Sequence, residues 1–276
     1  MPKANGGPGR VVSGGEFYSP IVSREKTQQV FLAELRQAKM CQTPRHEHAL
    51  AYLTVVLTGD YAEYESSHSF ELGAFNAIFN PCGVVHAGAF GQSGARLFTV
   101  ELRDEYLKQL GVAVSSTPLL DSGLGTMLWP GLRLYSVFKK QLADPLTLEG
   151  HVLEILAAAS KSKPPGRTSP AWFRRTREQL HAEFKNHLSM AELASQAGVH
   201  PVHLARVFRS QLGQTAGDYV RQLRVRSACE LLRDREFPLA AIAAECGFAD
   251  QSHFTRIFKR AAGNTPGEFR KLHSPV

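Results

Sequence analysis

Two stretches fifty residues apart decide how this chain is read: His203-Leu-Ala-Arg-Val-Phe-Arg-Ser-Gln-Leu-Gly-Gln-Thr-Ala-Gly-Asp-Tyr-Val-Arg221 and His253-Phe-Thr-Arg-Ile-Phe-Lys-Arg-Ala-Ala-Gly-Asn-Thr-Pro-Gly-Glu-Phe-Arg-Lys271. At that offset His203, Arg206, Phe208, Gly213, Thr215 and Gly217 fall on His253, Arg256, Phe258, Gly263, Thr265 and Gly267. Upstream, Ala194-x-x-x-Gly198 answers Ala243-x-x-x-Gly247 at an offset of forty-nine. Two copies are too few for a solenoid, which needs about three. A duplicated small unit fits better.

Each copy reads as helix, tight turn, helix. Ser189-Met-Ala-Glu192 is a capping box, in which the Ser oxygen and the Glu carboxylate each satisfy an orphan amide. Gly198 can take the positive φ that ends the helix, and Pro201 suits the first turn of the next one. Asp250 can cap the matching helix of the second copy. Thr215-Ala-Gly-Asp218 and Thr265-Pro-Gly-Glu268 are further capping boxes. At about 100° per residue, Val207, Phe208, Gln211 and Leu212 gather around Leu204, with Val202, Arg206, Arg209 and Ser210 opposite. In the second copy Phe254, Ile257, Phe258, Ala261 and Ala262 form the buried stripe, while Ser252, Arg256, Lys259 and Arg260 face out. One such helix is merely amphipathic. A duplicated turn with an outward Arg at the same helical position points to nucleic acid. The helix between the copies, Thr215 to Arg233, spans ~28 Å. That length can hold two reading helices about one DNA turn (~34 Å) apart, in successive major grooves.

These residues resemble the DNA-binding domain of the AraC/XylS transcription regulators. The resemblance runs from about Trp172 to Lys271 and is carried by Ile242-Ala-Ala-Glu-Cys-Gly-Phe-Ala-Asp-Gln-Ser-His-Phe-Thr-Arg-Ile-Phe-Lys259 and Gly263-Asn-Thr-Pro-Gly-Glu-Phe-Arg270. It implies a seven-helix, all-α domain with two helix-turn-helix units joined by a linker helix. It also implies base-edge contacts from Val202, Ala205 and Arg206 in the first unit and from Gln251, Ser252, Thr255 and Arg256 in the second. Arg209 and Lys259 stand where backbone phosphates are contacted. An outward Arg can read guanine and a Gln adenine, whereas Val202 and Ala205 can only touch thymine methyls.

Charge agrees with that placement. The chain has 276 residues and a formal net charge of +7. Residues 1–163 hold 15 basic and 15 acidic residues, so the whole excess lies in the C-terminal part. A compact half carrying all the surplus positive charge suggests a polyanion partner. Hydrophobic residues at 43% and charged residues at 21% exclude general disorder. No apolar run approaches the ~18 residues of a membrane span, and Met1 to Arg10 lacks the apolar core of a secretory signal. A cytoplasmic protein without membrane contact is expected. Cys41, Cys82, Cys229 and Cys246 form no CxxC pair and read as isolated thiols in a reducing compartment. Lys161-Ser-Lys-Pro-Pro-Gly-Arg-Thr-Ser-Pro170 cannot continue a helix and reads as a linker. The expected organisation is therefore a domain at 1–160, a linker at 161–171 and the DNA-binding domain at 172–276.

The N-terminal half reads as many short strands separated by turns. Leu50-Ala-Tyr-Leu-Thr-Val-Val-Leu57, ending in a Thr58-Gly59-Asp60 turn, is one strand. Arg96-Leu-Phe-Thr-Val-Glu-Leu102 is another, with Phe98, Val100 and Leu102 on one face. Glu71 to His86 alternates strand and turn signals, which suggests a small sandwich or barrel. Pro81-x-Gly83-x-x-His86, with His46-x-His48 upstream, resembles the two cupin motifs. The resemblance covers roughly residues 40–102 and implies a cupin-like barrel holding a small-molecule effector. The overall fold class is thus a two-domain α+β chain, a cupin-like β-barrel with flanking helices followed by the all-α domain.

His46 and His48 point to one face of a strand, and with His86 they could give three imidazoles to a metal, as in cupin enzymes. The cupin pattern also carries a Glu shortly after its His pair, where this chain has Tyr52 and Leu53. Two readings of the histidines stay open: a divalent-metal site, or the polar lining of an effector pocket. A metal-dependent cupin dioxygenase or isomerase is the rival from another class, and it leaves the C-terminal repeat unexplained. No cofactor and no catalytic residue follow from the regulator reading. Leu124–Leu142 and Pro145–Lys161 read as helices; Leu146, Leu148, Val152, Leu153, Ile155 and Leu156 pack on the barrel or form a homodimer seam. The partners expected are double-stranded promoter DNA, a small-molecule effector, a second copy of the chain and RNA polymerase.

Overall fold

Strand Ala51–Tyr64 is buried on both faces over its first seven residues, one side turned to a polar pocket and the other to a helix. The computed structural model of the chain describes residues 10–65, 68–121, 126–140, 144–161, 169–186 and 188–273. It falls into two compact units, Met1–Ser162 and Lys163–Val276.

The first unit runs β1 (Arg10–Val12), β2 (Ile21–Lys26), β3 (Val30–Gln37), β4 (His46–His48), β5 (Ala51–Tyr64), β6 (Ser69–Gly73), β7 (Ala77–Asn80) and β8 (Ala87–Leu102). Helix α1 (Asp104–Leu110), β9 (Leu119–Leu120), α2 (Leu128–Lys140) and α3 (Pro145–Lys161) complete it. The main sheet has strand order β2-β3-β8-β5-β7-β9, with β6 paired to β5, and every pairing in it is antiparallel. A small second sheet pairs β1 with β4 in parallel, and isolated bridges join His46 to His86 and Gln42 to Ala89.

The Thr58-Gly59-Asp60 signal is not a turn. Strand β5 continues through it to Tyr64, and Gly59, at φ +83°, sits in an irregular register against β8. The 16-residue β8 keeps supplying hydrogen-bond partners past the irregularity, so the strand does not end. The expected strand Arg96–Leu102 is accordingly the last part of β8. Its Phe98 face packs on α2, with ring centroids 5.2 Å from Tyr135 and 5.4 Å from Phe138. Its other face, Leu97, Thr99 and Glu101, is buried too.

Helix α2 is shorter than the expected Leu124–Leu142. Thr126 and Met127 form a turn, and the Asp121 carboxylate accepts from the Met127 and Leu128 amides at 2.8 and 3.0 Å. Residues 122–125 and 141–143 lie outside the described residues. The buried carboxylate of Glu34 fastens α2 to the sheet, accepting from Arg96 at 2.7 Å and Lys139 at 2.8 Å. Helix α3 has its expected bounds. Leu148, Val152, Ile155 and Leu156 are buried, whereas Leu146 and Leu153 lie on the exposed side.

The second unit is helical: α4 (Ala171–Glu183), α5 (Met190–Gln196), α6 (Pro201–Leu212), α7 (Ala216–Leu231), α8 (Leu239–Glu245), α9 (Gln251–Ala262) and α10 (Pro266–His273). The linker expected at Lys161–Pro170 falls for residues 162–168 outside the described residues. Phe173, Phe208 and Tyr219 form one aromatic cluster and Phe248, Phe254, Phe258 and Phe269 another, with centroids 5.0 to 6.1 Å apart. Helix α7 has 16 residues, or ~24 Å, because Leu232 caps it; it is shorter than the expected span to Arg233. Among the described residues no helix is long and apolar enough to cross a membrane.

Candidate nucleic-acid interface and a buried histidine site

Local chemistry sets the ends of the helices that form the interface. Ser189 Oγ accepts from the Glu192 amide and Glu192 Oε2 accepts from the Ser189 amide, both at 3.1 Å. Gly198 follows α5 at φ +67°, and Gly247 occupies the same place after α8 at φ +76°. Asp250 Oδ1 accepts from the His253 amide at 2.7 Å to start α9. Helix α6 is capped by His200, which the sequence reading missed; its Nδ1 accepts from the Val202 amide at 3.3 Å. Thr265 and Glu268 complete a reciprocal box, their amides donating at 2.8 and 3.3 Å. At Thr215 the box is only half made. The Thr215 hydroxyl accepts from the Asp218 amide but donates to the Asp218 carboxylate, which leaves the Thr215 amide aside.

Helices α6 and α9 bury equivalent residues. Leu204 and Phe208 on one, Phe254 and Phe258 on the other, are fully inaccessible. Val202, Arg206, Arg209, Gln251, Ser252, Arg256 and Lys259 are exposed, and Ala205 and Thr255 are half-buried between them. All nine residues expected to meet DNA therefore lie along the outward sides of these two helices. Among the described residues, Arg206, Arg209, Arg256 and Lys259 have no hydrogen-bond or ion-pair partner. Other arginines of this unit are held. Arg224 on α7 donates to the Phe184 and Asn186 carbonyls at 2.7 and 2.9 Å, just ahead of α5. Arg270 on α10 likewise donates to the Arg235 and Phe237 carbonyls, at 2.9 and 2.5 Å, just ahead of α8. Each helix-turn-helix unit is thus clamped by an arginine from the helix that follows it, a feature outside the sequence reading. Sequence spacing hides it because Arg224 and Arg270 are not at the fifty-residue offset.

In the first unit His46, His48 and His86 come together, each buried, with potential ligand atoms all within 4.8 Å of one another. His46 Nδ1 faces the Pro44 carbonyl at 2.8 Å and His86 Nδ1 the Val84 carbonyl at 3.1 Å. His48 Nδ1 faces the Glu101 carboxylate at 3.1 Å. All three partners are oxygens that can accept, so in the neutral form each ring places its proton on Nδ1 and keeps a lone pair on Nε2. Burial, joined for His46 by the neighbouring His86 and for His86 by His48, holds both groups down to about 4, so they are neutral imidazoles near pH 7.

Three side chains that the sequence reading did not select surround the cluster. Glu101 on β8, Tyr52 on β5 and Asn80 on β7 are direct cross-strand neighbours. The Tyr52 hydroxyl donates to His86 Nε2 at 3.1 Å and accepts from Asn80 at 2.9 Å. Burial and the nearby Glu63 raise the Tyr52 phenol well above its ordinary range, so it stays protonated. Asn80 also donates to buried Glu63 at 2.9 Å, and Tyr61 donates to the same carboxylate at 2.7 Å. Burial outweighs both bonds and raises the Glu63 carboxyl above its ordinary range. Tyr52 stands near where the cupin pattern has its Glu; the carboxylate arrives instead from Glu101, fifty-three residues beyond His48 and against its Nδ1. Only the β5–β8 register reveals that pairing. Phe17, Tyr18 and Phe90 help wall a cavity of about 50 Å³ at the cluster. Glu101 also accepts from the Gly15 amide at 2.6 Å.

Two helix-turn-helix units on one helical body, in a chain that also folds a separate β unit with a polar interior, define a DNA-binding transcription regulator. Comparison with known proteins bears on the helical unit above all. A model of the helix-turn-helix domain matches residues 193–272. The HTH-type transcriptional regulator YfiF of Bacillus subtilis is 25% identical over 251 residues, spanning 83% of this chain and 79% of YfiF. The HTH-type transcriptional activator RhaR of Escherichia coli is 34% identical over 96 residues, 35% of this chain and 34% of RhaR. ToxT of Vibrio cholerae overlays at a TM-score of 0.40 and 12% identity, across 90% of this chain and 100% of ToxT. The family model and the sequence relatives agree on residues 193–272, which form an AraC-type helix-turn-helix domain similar to those of HTH-type transcription regulators.

Proposed function

We propose that this regulator reads two DNA boxes about one turn apart through α6 and α9. Val202, Ala205 and Arg206 touch base edges in one box and Gln251, Ser252, Thr255 and Arg256 in the other. Arg209 and Lys259 hold the phosphates between. The observation that carries this reading is the set of four unpaired cations, repeated at equivalent positions on two helices, while neighbouring arginines are tied to backbone carbonyls. A cation left unpaired at the surface costs little in water and is available to an anionic partner.

The first unit, residues 1–160, serves as the effector-binding and dimerising half, and 172–276 as the reading half, with 161–171 between them. An effector at the histidine cavity shifts an existing equilibrium between DNA-binding arrangements. The protein acts in the cytoplasm as a homodimer, in contact with RNA polymerase at the promoter. An enzyme reading has less support, because about 50 Å³ leaves no space for an organic substrate beside a metal.

The test is to incubate the purified protein with sheared genomic DNA of its source at near-physiological salt and to sequence the retained fragments. Salt matters because phosphate contacts alone retain all DNA at low ionic strength. Enrichment of one motif with two boxes about a turn apart is expected. Uniform retention or none overturns the reading.

A further inference from the structure

Among the described residues the histidine cavity combines three features that a buried hydrogen-bond network does not require. The first is size. Organic ligands occupy pockets of roughly 300–1,000 Å³, whereas this cavity measures about 50 Å³. That is space for one ion and a water molecule, whose share of liquid volume is about 30 Å³. The larger depression of about 520 Å³, lined by Asp60, Tyr64, Glu71 and Gly91 among others, does not include the histidines.

The second feature is the donor set. With every Nδ1 tied to an acceptor, the three Nε2 lone pairs remain. Those of His46 and His48 make no hydrogen bond among the described residues. One ring nitrogen of each histidine lies within 4.8 Å of the other two, so some point is within about 2.8 Å of that set (4.8 Å divided by √3). Zn–N bonds are about 2.0–2.1 Å, so small ring movements close the set around one ion. Pinning the far nitrogen to a carboxylate or carbonyl is also how metal-bound imidazoles are oriented.

The third feature is charge. Glu101 is fully buried, and its partners are His48 and the Gly15 amide. Neither carries a fixed positive charge. A buried carboxylate without a counter-charge is costly, and a divalent cation beside it supplies one.

We infer that the N-terminal unit binds one divalent first-row transition-metal ion through Nε2 of His46, His48 and His86, with Glu101 positioning His48, and that this ion is what the regulator senses. The sensing clause rests on the regulator reading; the metal site does not. Tyr52 gives up its hydrogen bond to His86 when the ion enters and remains a neutral donor beside it. Imidazole donors suit Zn2+ and its neighbours in the series over Mg2+ or Ca2+.

The full-length protein, stripped with a chelator, is titrated with Zn2+ by calorimetry and with Co2+ by visible absorption. One equivalent of Zn2+ at a Kd below about 1 μM is expected, with Co2+ bands of a nitrogen-ligated site of low coordination number. His48→Ala and His86→Ala lower the affinity at least 100-fold. Glu101→Gln, which keeps the shape and an acceptor oxygen and so guards against misfolding, lowers it about 10- to 100-fold. His151→Ala, a half-buried histidine of α3 outside the cluster, leaves it unchanged. No binding below about 100 μM, or binding that survives both His→Ala variants, overturns the metal site. The genomic-fragment selection is then repeated with stripped and Zn2+-loaded protein. At least a five-fold change in motif enrichment supports sensing. Equal enrichment overturns sensing and makes the ion structural. Absence of enrichment in both states overturns the regulator reading and sensing together, while the titration still decides the metal site.

Discussion

Around the three histidines, Glu101 accepts from His48 and Gly15, and Glu63 accepts from Tyr61 and Asn80. On α6 and α9 the head groups of Arg206, Arg209, Arg256 and Lys259 have no partner among the described residues. The same kind of polar atom is used in opposite ways. In the buried site, removing a partner strands another group away from water, so substitutions there weaken folding. On the exposed helices no described residue bonds to these head groups, so substitutions there are expected to leave stability nearly unchanged and to act on the proposed DNA binding. Stability and DNA affinity should therefore separate cleanly between the two regions.

The largest expected effect is Glu101→Ala. It leaves the His48 Nδ1–H and the Gly15 amide without their acceptor and should cost the N-terminal unit about 2–4 kcal/mol. Calorimetry of the full chain reads this as a lowered first transition, and an unchanged one would break the contrast. Arg270→Ala sharpens it from inside the DNA-binding half. Losing two charge-assisted bonds to the Arg235 and Phe237 carbonyls should cost about 1.5–3 kcal/mol of stability. The sequence motif selected from DNA should stay the same, and an altered motif would mean that Arg270 reads bases.

Arg256→Ala should do the reverse. Cognate DNA affinity falls by roughly 1–3 kcal/mol with specificity relaxed at one position, while stability moves by less than about 0.5 kcal/mol. Arg206→Ala should match it, and its loss should nearly erase the first box, because Val202 and Ala205 contribute only apolar contacts. Binding isotherms with the selected motif check both; an unchanged affinity removes the residue from the interface. The smallest effects belong to Arg209→Ala and Lys259→Ala. Each should reduce the slope of log K against log salt by about 1, equally on cognate and random DNA. A loss confined to the cognate sequence would assign these residues to bases.

The two halves also differ in how far the sequence reveals them. Ser189, Glu192, Asp250, Thr265 and Glu268 act within four residues of themselves, so their caps follow from spacing alone. The apolar stripes of α6 and α9 are equally local, since one helical turn brings Leu204 and Phe208 to the same side. His46, His48 and His86 were visible because motif spacing picks them out. Glu101 was not, because its face of β8 looks like the solvent side of a half-buried strand until α2 is seen to cover the other face. Tyr52 and Asn80 were missed for the same reason. The Thr58-Gly59-Asp60 signal misled because a positive-φ glycine serves an irregularity as readily as a turn, and only the length of the partner strand tells them apart.

By itself the sequence determined the double helix-turn-helix unit and the outward faces of α6 and α9, because helices are specified by interactions among residues three and four apart. Tertiary structure alone decided that Arg224 and Arg270 are clamps, that Glu101 meets His48, and that a cavity of about 50 Å³ adjoins the histidines. Those facts depend on strand register and on packing between segments tens of residues apart, which no local pattern encodes.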